Sequence, residues 1–163
     1  MGCGKTTLAR KLAAKLAYQL VDLDQEIEKT LNQPIAAFFA SSGEQAFREL
    51  ESKTLKTFNY PVDAVVATGG GTPCFFDNMD WMNQQGETIY IDMPPLALAK
   101  RLENGKAKRP LLKDLSQAEI VDFIVHKLEE RTPFYSRAKH RVNGVNLSAD
   151  LLKSSVLPLR DLP

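Results

Sequence analysis

The chain predicts an α/β fold in three layers, a parallel sheet flanked on both faces by helices. Three observations carry this. Short β-rich runs alternate with helical periodicities along the whole length. The runs close in acidic or glycine-rich turns, and open sheets of this kind bind ligands beyond their strand ends. Gly2-Cys3-Gly4-Lys5-Thr6-Thr7 ends in Gly-Lys-Thr directly before an amphipathic stretch, which reads as the second half of the phosphate-binding loop G-x-x-x-x-G-K-[ST].

Composition sets the limits. At 163 residues the chain suits a single domain, 1–163. With 44% hydrophobic and 25% charged residues it reads as a folded, soluble protein. A net charge of +1 points to neither a nucleic-acid nor a membrane partner. No apolar run approaches the roughly 18 residues of a membrane span, and no leader peptide is visible, so a cytoplasmic monomer is expected. Cys3, Cys74, His126 and His140 are not spaced for zinc, and both cysteines are expected to stay thiols.

The elements follow in order. Leu8, Leu12 and Leu16, with Ala9 and Ala13, form one stripe of a helix from Thr6 to Ala17. Leu20 to Asp24 alternates apolar and acidic residues and reads as a strand. Gln25 to Leu31 is a short helix. Pro34 opens another, through Ala40. Gly43 breaks it, and Glu44 to Phe58 resumes as a longer helix. Asp63 to Thr68 is a strand closed by Gly69-Gly70-Gly71. Asn78 to Gln84 is helical and stops at Gly86. Thr88 to Asp92 is a strand, and Pro94 opens a helix through Leu102. The polar, basic stretch 103–114 reads as a mobile loop. Ser116 and Glu119 form a capping box for a helix that turns Ile120, Ile124 and Leu128 inward and ends before Pro133. Arg141 to Asn143 is a last short strand, followed by a weak helix from Ser148 to Leu159.

The chemistry starts at the loop. Glycines let backbone N–H groups close around phosphate oxygens. Lys5 brings a point charge to the outer phosphates, and the Thr6 hydroxyl is a candidate Mg²⁺ ligand. Asp22 and Asp24 alternate with Val21 and Leu23 and are expected to share a face, since strand side chains alternate. One carboxylate near Mg²⁺ and one near an acceptor hydroxyl is what phosphoryl transfer asks for. The glycine triplet offers a second place where backbone can approach a ligand closely. Arg48, Arg109 and Arg131 taken singly read as surface or helix-end cations, and gain meaning only together.

Taken as a set, Gly2 to Thr7, Asp22-Leu23-Asp24, Phe39, Gly43 to Arg48 with Glu51, Ala67 to Gly71, Arg109-Pro110-Leu111-Leu112 and Arg131 to Tyr135 resemble the shikimate kinases in order and spacing, from Gly2 to about Ala138. The resemblance implies a P-loop NTPase-type fold with a five-stranded parallel sheet, a lid at about 103–114 and substrate-binding helices at about 24–58. It implies ATP and Mg²⁺ as cofactor and metal, and transfer of the γ-phosphoryl to the 3-hydroxyl of shikimate. By position, Gly2, Cys3, Gly4, Lys5, Thr6 and Thr7 would cradle phosphate, with Thr6 and Asp22 at Mg²⁺. Asp24 would orient the acceptor hydroxyl, and Arg48 and Arg131 would hold the shikimate carboxylate. Gly69, Gly70 and Gly71 would line the substrate, Phe39 and Phe47 would wall its ring, Arg109 would reach in from the lid, and Arg101 would flank adenine. Lys5, Asp24 and Arg109 would carry catalysis. A gluconate kinase of the same fold, or a nucleotide-binding module without turnover, remain the alternatives.

The chain departs from that pattern at one point. The motif's first glycine would precede Met1, and the strand that feeds such a loop does not stand before it. Lacking about four buried apolar side chains at roughly 1.5–3 kcal/mol each, against a whole-domain stability of about 5–15 kcal/mol, the chain is expected to be poorly stable and weakly active.

Overall fold

The computed structural model describes residues 2–103 and 115–156. Its order is α1 (Lys5–Leu16), β1 (Gln19–Asp22), α2 (Leu23–Leu31), α3 (Ile35–Thr57), β2 (Ala64–Ala67), a 3₁₀ turn (Thr72–Cys74), α4 (Asn78–Gln85), β3 (Ile89–Asp92), α5 (Pro95–Glu103), α6 (Gln117–Tyr135), β4 (His140–Asn143) and α7 (Ala149–Val156). All four described strands were legible as β-rich runs. The expected lid residues 104–114, Arg109 among them, lie outside the described residues.

The strands pair in parallel, as the alternation of strands and helices requires. β1 pairs with β2, Gln19 opposite Ala64 through Asp22 opposite Ala67. β3 pairs with β4, Ile89 opposite His140 through Asp92 opposite Asn143. Among the described residues no ladder joins β2 to β3, so the strands form two half-sheets. Between them runs a cavity of about 510 Å³ that Val65, Val66, Ile89 and Ile91 line from the two sheets and Leu8 and Leu12 from α1. Strands of an all-parallel sheet are normally covered on both sides. Here Val66 is 38% exposed, and every residue of β3 is only half-buried.

The core is correspondingly divided. Met93, Leu98, Ala99, Leu102, Ile120 and Ile124 pack α5 against α6. Leu23, Ile27, Phe47 and Leu55 pack α2 against α3. Leu12, Val142 and Leu152 join α1, β4 and α7.

Two local expectations are corrected. β1 stops at Asp22, and Leu23 begins α2, so Asp24 lies in a helical first turn rather than on a strand face. The i, i+4 pair Leu23 and Ile27, both fully buried, sets a helical register there, and it overrides the apolar–acidic alternation. As expected, Gly43 breaks the helical path, with φ 79° and ψ 174°, so α3 consists of two helical segments on either side of it. Helix α6 does not end at Pro133 but runs on to Tyr135. A proline interrupts mainly the turn before it, and this one comes too late to stop the last turn, where the Ser136 N–H still reaches the Thr132 carbonyl at 2.9 Å. The Ser116–Glu119 capping box is present as expected, with both reciprocal bonds.

Candidate active site

The site is built where α1 begins and where β1 and β2 end. Gly4 caps α1 in the left-handed region, φ 81°, where a side chain would be strained. It turns the chain so that the first N–H groups of α1, which have no partner within the helix, lie at the end of the strands. From α5, Arg101 Nη1 donates to the Cys3 carbonyl at 3.1 Å and contacts Met93 Sδ at 3.4 Å. Arg101 thus braces the phosphate loop directly. The Lys5 ammonium lies 3.9 Å from Cys3 Sγ.

The Thr6 hydroxyl donates to Asp22 Oδ2 at 3.0 Å. Asp22 occupies the N-cap position of α2 but makes no side-chain cap bond; its carboxylate faces Thr6 instead. Two hard oxygen groups, one anionic, therefore stand together at the start of α1, a donor set that suits Mg²⁺ when phosphates and water complete it. The described residues hold no cluster of three or more His, Cys, Asp or Glu that would bind a metal alone.

Asp24 lies beside this pair. Its surface reaches solvent, yet it sits in a concave, protein-crowded place. Partial desolvation raises its pKa first, then the charges of Asp22 and Glu51; Lys5 pulls the other way. The two aspartates come together as expected, though by a strand end and a helix turn.

Arg48 is nearly buried, at 8% exposure, and Glu51 is buried to 1%. Arg48 Nη1 meets Glu51 Oε2 at 2.8 Å, and Nη2 meets Glu44 Oε1 at 3.0 Å. The guanidinium lies over three rings, 4.4 Å from the centroid of Phe75, 5.2 Å from Phe47 and 5.9 Å from Phe39. Phe39 and Phe47 are themselves 4.5 Å apart, across the Gly43 kink. The expected wall residues therefore surround the expected carboxylate binder.

Gly69 and Gly71 pack into this cluster where a side chain would crowd it. A Cβ on Gly71 would come within 2.5 Å of Arg48 Nη1. A Cβ on Gly69 would stand 3.0 Å from Glu51 Oε1 and 3.2 Å from Asp24 Oδ1. The Gly70 carbonyl accepts from the Tyr135 hydroxyl at 2.6 Å, which ties the turn to α6, the helix that carries Arg131. Burial raises the Cys74 thiol pKa, and Arg131 and Arg48 both lie close enough to oppose that. The two arginines, 83 positions apart in sequence, thus both act on the Cys74 thiol. Thr7 is exposed on the first turn of α1.

Sequence reasoning missed the segment after the glycines. Thr72, Cys74 and Phe75 enter the site on a 3₁₀ turn, and Asn78 supports it from α4. The available signal was a proline, Pro73, two positions after the glycine triplet, which marks a tight turn and not a flexible loop. The cavity between the half-sheets is a separate feature that meets the site at one end, where Cys3, Lys5, Gly69, Gly70 and Tyr135 line it.

A phosphate loop at a helix start, a Thr–Asp pair beside it and an arginine-bearing acceptor pocket on the same side define a P-loop kinase acting on a small anionic molecule. Residues 1–157 match the family model described as "Shikimate kinase". A shikimate kinase of Bacteroides fragilis is 44% identical over 163 residues, covering 99% of this chain and 91% of that protein. The crystal structure of the Bacteroides thetaiotaomicron shikimate kinase superposes with a TM-score of 0.87 at 40% identity, over 98% of this chain and 91% of that one. The Acinetobacter baumannii enzyme, solved in complex with shikimate, superposes with a TM-score of 0.77 at 30% identity, over 93% of this chain and 82% of that one. The chain belongs to the shikimate kinase family and is an ATP-dependent enzyme with shikimate kinase activity. No described helix is long and apolar enough to cross a membrane.

Proposed function

We propose that this site transfers the γ-phosphoryl of ATP to the 3-hydroxyl of shikimate, with these residues in these roles. Gly2 to Thr7 cradle the phosphates, and Lys5 neutralises charge on the transferring group. Thr6 and Asp22 would hold Mg²⁺, which when bound offsets phosphate charge and orients the outer phosphates. Asp24 accepts the hydrogen bond of the acceptor hydroxyl and takes its proton; a raised pKa makes it a better base than an ordinary aspartate. Arg48 and Arg131 bind the planar carboxylate, for which the guanidinium fork is the matching donor. The backbone of Gly69 to Gly71 and the rings of Phe39 and Phe47 enclose the acceptor. Arg109 meets the transferring group from the lid, and Arg101, already bonded to the loop, borders the adenine.

One observation supports this above the rest: the glycine turn packs closely against Asp24 at Gly69 and against Arg48 at Gly71, next to the Thr6–Asp22 pair. The test is ADP release in a coupled assay with shikimate, with gluconate and with no acceptor. Turnover with shikimate alone fits the proposal. Turnover with gluconate alone supports a related metabolite kinase, and none with either supports a nucleotide-binding module.

The same proposal extends to the fold. An apolar strand joined upstream of Gly2 would lie in the cleft, run parallel into the phosphate loop and unite the half-sheets into one five-stranded sheet. The open edges of β2 and β3, the apolar lining and the partial exposure of both strands support it.

A further inference from the structure

Four buried polar side chains form a closed ring that the proposed reaction does not use directly. Glu51 and Ser52 stand side by side on α3. Glu51 Oε1 accepts from the Thr72 hydroxyl at 2.6 Å. The Thr72 carbonyl accepts from Asn78 Nδ2 at 2.9 Å. Asn78 Oδ1 accepts from the Ser52 hydroxyl at 2.6 Å, which returns the ring to α3. Thr72 and Asn78 are fully buried, Glu51 is 1% exposed and Ser52 7%. Among the described residues no buried side-chain nitrogen or oxygen lacks a partner.

The ring joins three elements at the floor of the acceptor pocket. Thr72 directly follows Gly71, whose backbone lies against the Arg48 guanidinium. Glu51 holds that guanidinium with its other oxygen. One carboxylate therefore fixes both the arginine and the turn it packs on, while Asn78 fixes the Thr72 backbone against α3. A polar ring in a dry interior has one satisfied arrangement, since any shift that breaks a bond strands a buried group. Simple packing would hold α4 on α3 without that directional demand; Trp81 and Met82 already supply apolar contact there.

We infer that Asn78 and Ser52 are positioning residues for the acceptor: through Thr72 and Glu51 they set where the glycine turn and the Arg48 guanidinium stand, and so tune shikimate binding without touching it. ATP binding, which rests on the opposite side of the site, is not governed by the ring. The inference rests on the acceptor pocket proposed above.

The experiment compares Ser52→Ala, Ser52→Thr, Asn78→Ala and Arg131→Ala in the full chain. It reads KM for shikimate and for ATP, shikimate binding by calorimetry without nucleotide, and the melting temperature. Ser52→Ala is expected to raise the shikimate KM about 3- to 10-fold, the scale of one lost neutral hydrogen bond, with ATP KM unchanged. Asn78→Ala, which removes two bonds, is expected to raise it further. Ser52→Thr, which keeps the hydroxyl, is expected to restore wild-type KM. Lower melting temperatures with both KM values unchanged, or both KM values rising together, would overturn the inference, as would an equal effect from Ser52→Thr and Ser52→Ala. If Asn78→Ala does not fold, Ser52→Ala decides alone, because it leaves the Asn78–Thr72 bond in place. Arg131→Ala separates the two readings. A higher shikimate KM there with none in the ring variants rejects the inference alone, and no change there rejects the proposed pocket.

Discussion

The Thr6 hydroxyl and the Asp22 carboxylate meet at 3.0 Å, joining the first turn of α1 to the end of β1. The pair links the phosphate loop to β1 by a hydrogen bond placed at the proposed Mg²⁺ site. Asp22→Asn keeps an acceptor for Thr6 but removes the charge. It is expected to shift the Mg²⁺ requirement of turnover to higher concentration, because Mg²⁺ favours anionic oxygen, with little loss of melting temperature. Superimposable Mg²⁺ titrations of wild type and variant would reject the assignment.

The two arginines should fail differently. Arg131→Ala is expected to raise shikimate KM by about 10- to 150-fold, the loss of a charge-assisted bond worth about 1.5–3 kcal/mol, with modest change in stability. Arg48→Ala removes the same kind of contact but also strands Glu51, which is 1% exposed. Breaking a buried pair costs about 3–5 kcal/mol, so a large drop in melting temperature is expected as well. Steady-state kinetics beside thermal melts would show the contrast, and equal melting temperatures for the two variants would speak against the buried pair.

Asp24 sets function against stability. Its raised pKa means that the fold disfavours the ionised form. Above the pKa of an unfolded aspartate, about 3.9, folding carries that cost; the cost fades as pH falls through the raised folded value. Asp24→Asn is therefore expected to melt at a higher temperature than wild type at pH 7 in metal-free buffer, with the gap closing toward pH 4. Its turnover is expected to fall by about 10²- to 10⁴-fold, the usual contribution of a general base. A variant that melts lower than wild type at pH 7 would contradict the electrostatic picture.

The cleft yields the fourth prediction. Fusing an apolar strand and a glycine upstream of Gly2 is expected to raise the melting temperature and to enlarge the further rise on adding ATP and Mg²⁺. Filling the space buries apolar side chains at roughly 1.5–3 kcal/mol each, and the added glycine lets the phosphate loop close. Equal melting points and equal nucleotide shifts for both forms would show that the cleft is not a strand site.

Much of this was readable from residue types alone. Three strands stood out because apolar runs close in acidic or glycine turns, after Val21, at Gly69 and at Asp92, while β4 showed only as the short run Arg141 to Asn143. The phosphate loop was legible because its chemistry is tied to residue identity; Arg48, a surface cation when read singly, stood out only as part of the set. The exact end of β1 was not: Leu23 and Ile27 satisfy a helical pattern as well as Leu23 satisfies a strand one, and only the core of α2 against α3 decides. The roles of Thr72, Asn78 and Ser52 were hidden for another reason. Each is an ordinary turn or surface residue in sequence, and long-range pairing such as Ser52 with Asn78, 26 positions apart, leaves no local periodicity.

The divided sheet reverses the usual ranking of backbone protection. In most α/β proteins the amides of the innermost strands exchange with solvent last, because they open only on global unfolding. Here β2 and β3 each have a ladder on one side only, so alternate amides of the strands at the heart of the molecule face the cleft. The slowest-exchanging amides are then expected in α3 and α6, whose buried stripes pack two of the three cores, which would make the helical coat the molecule's most durable part.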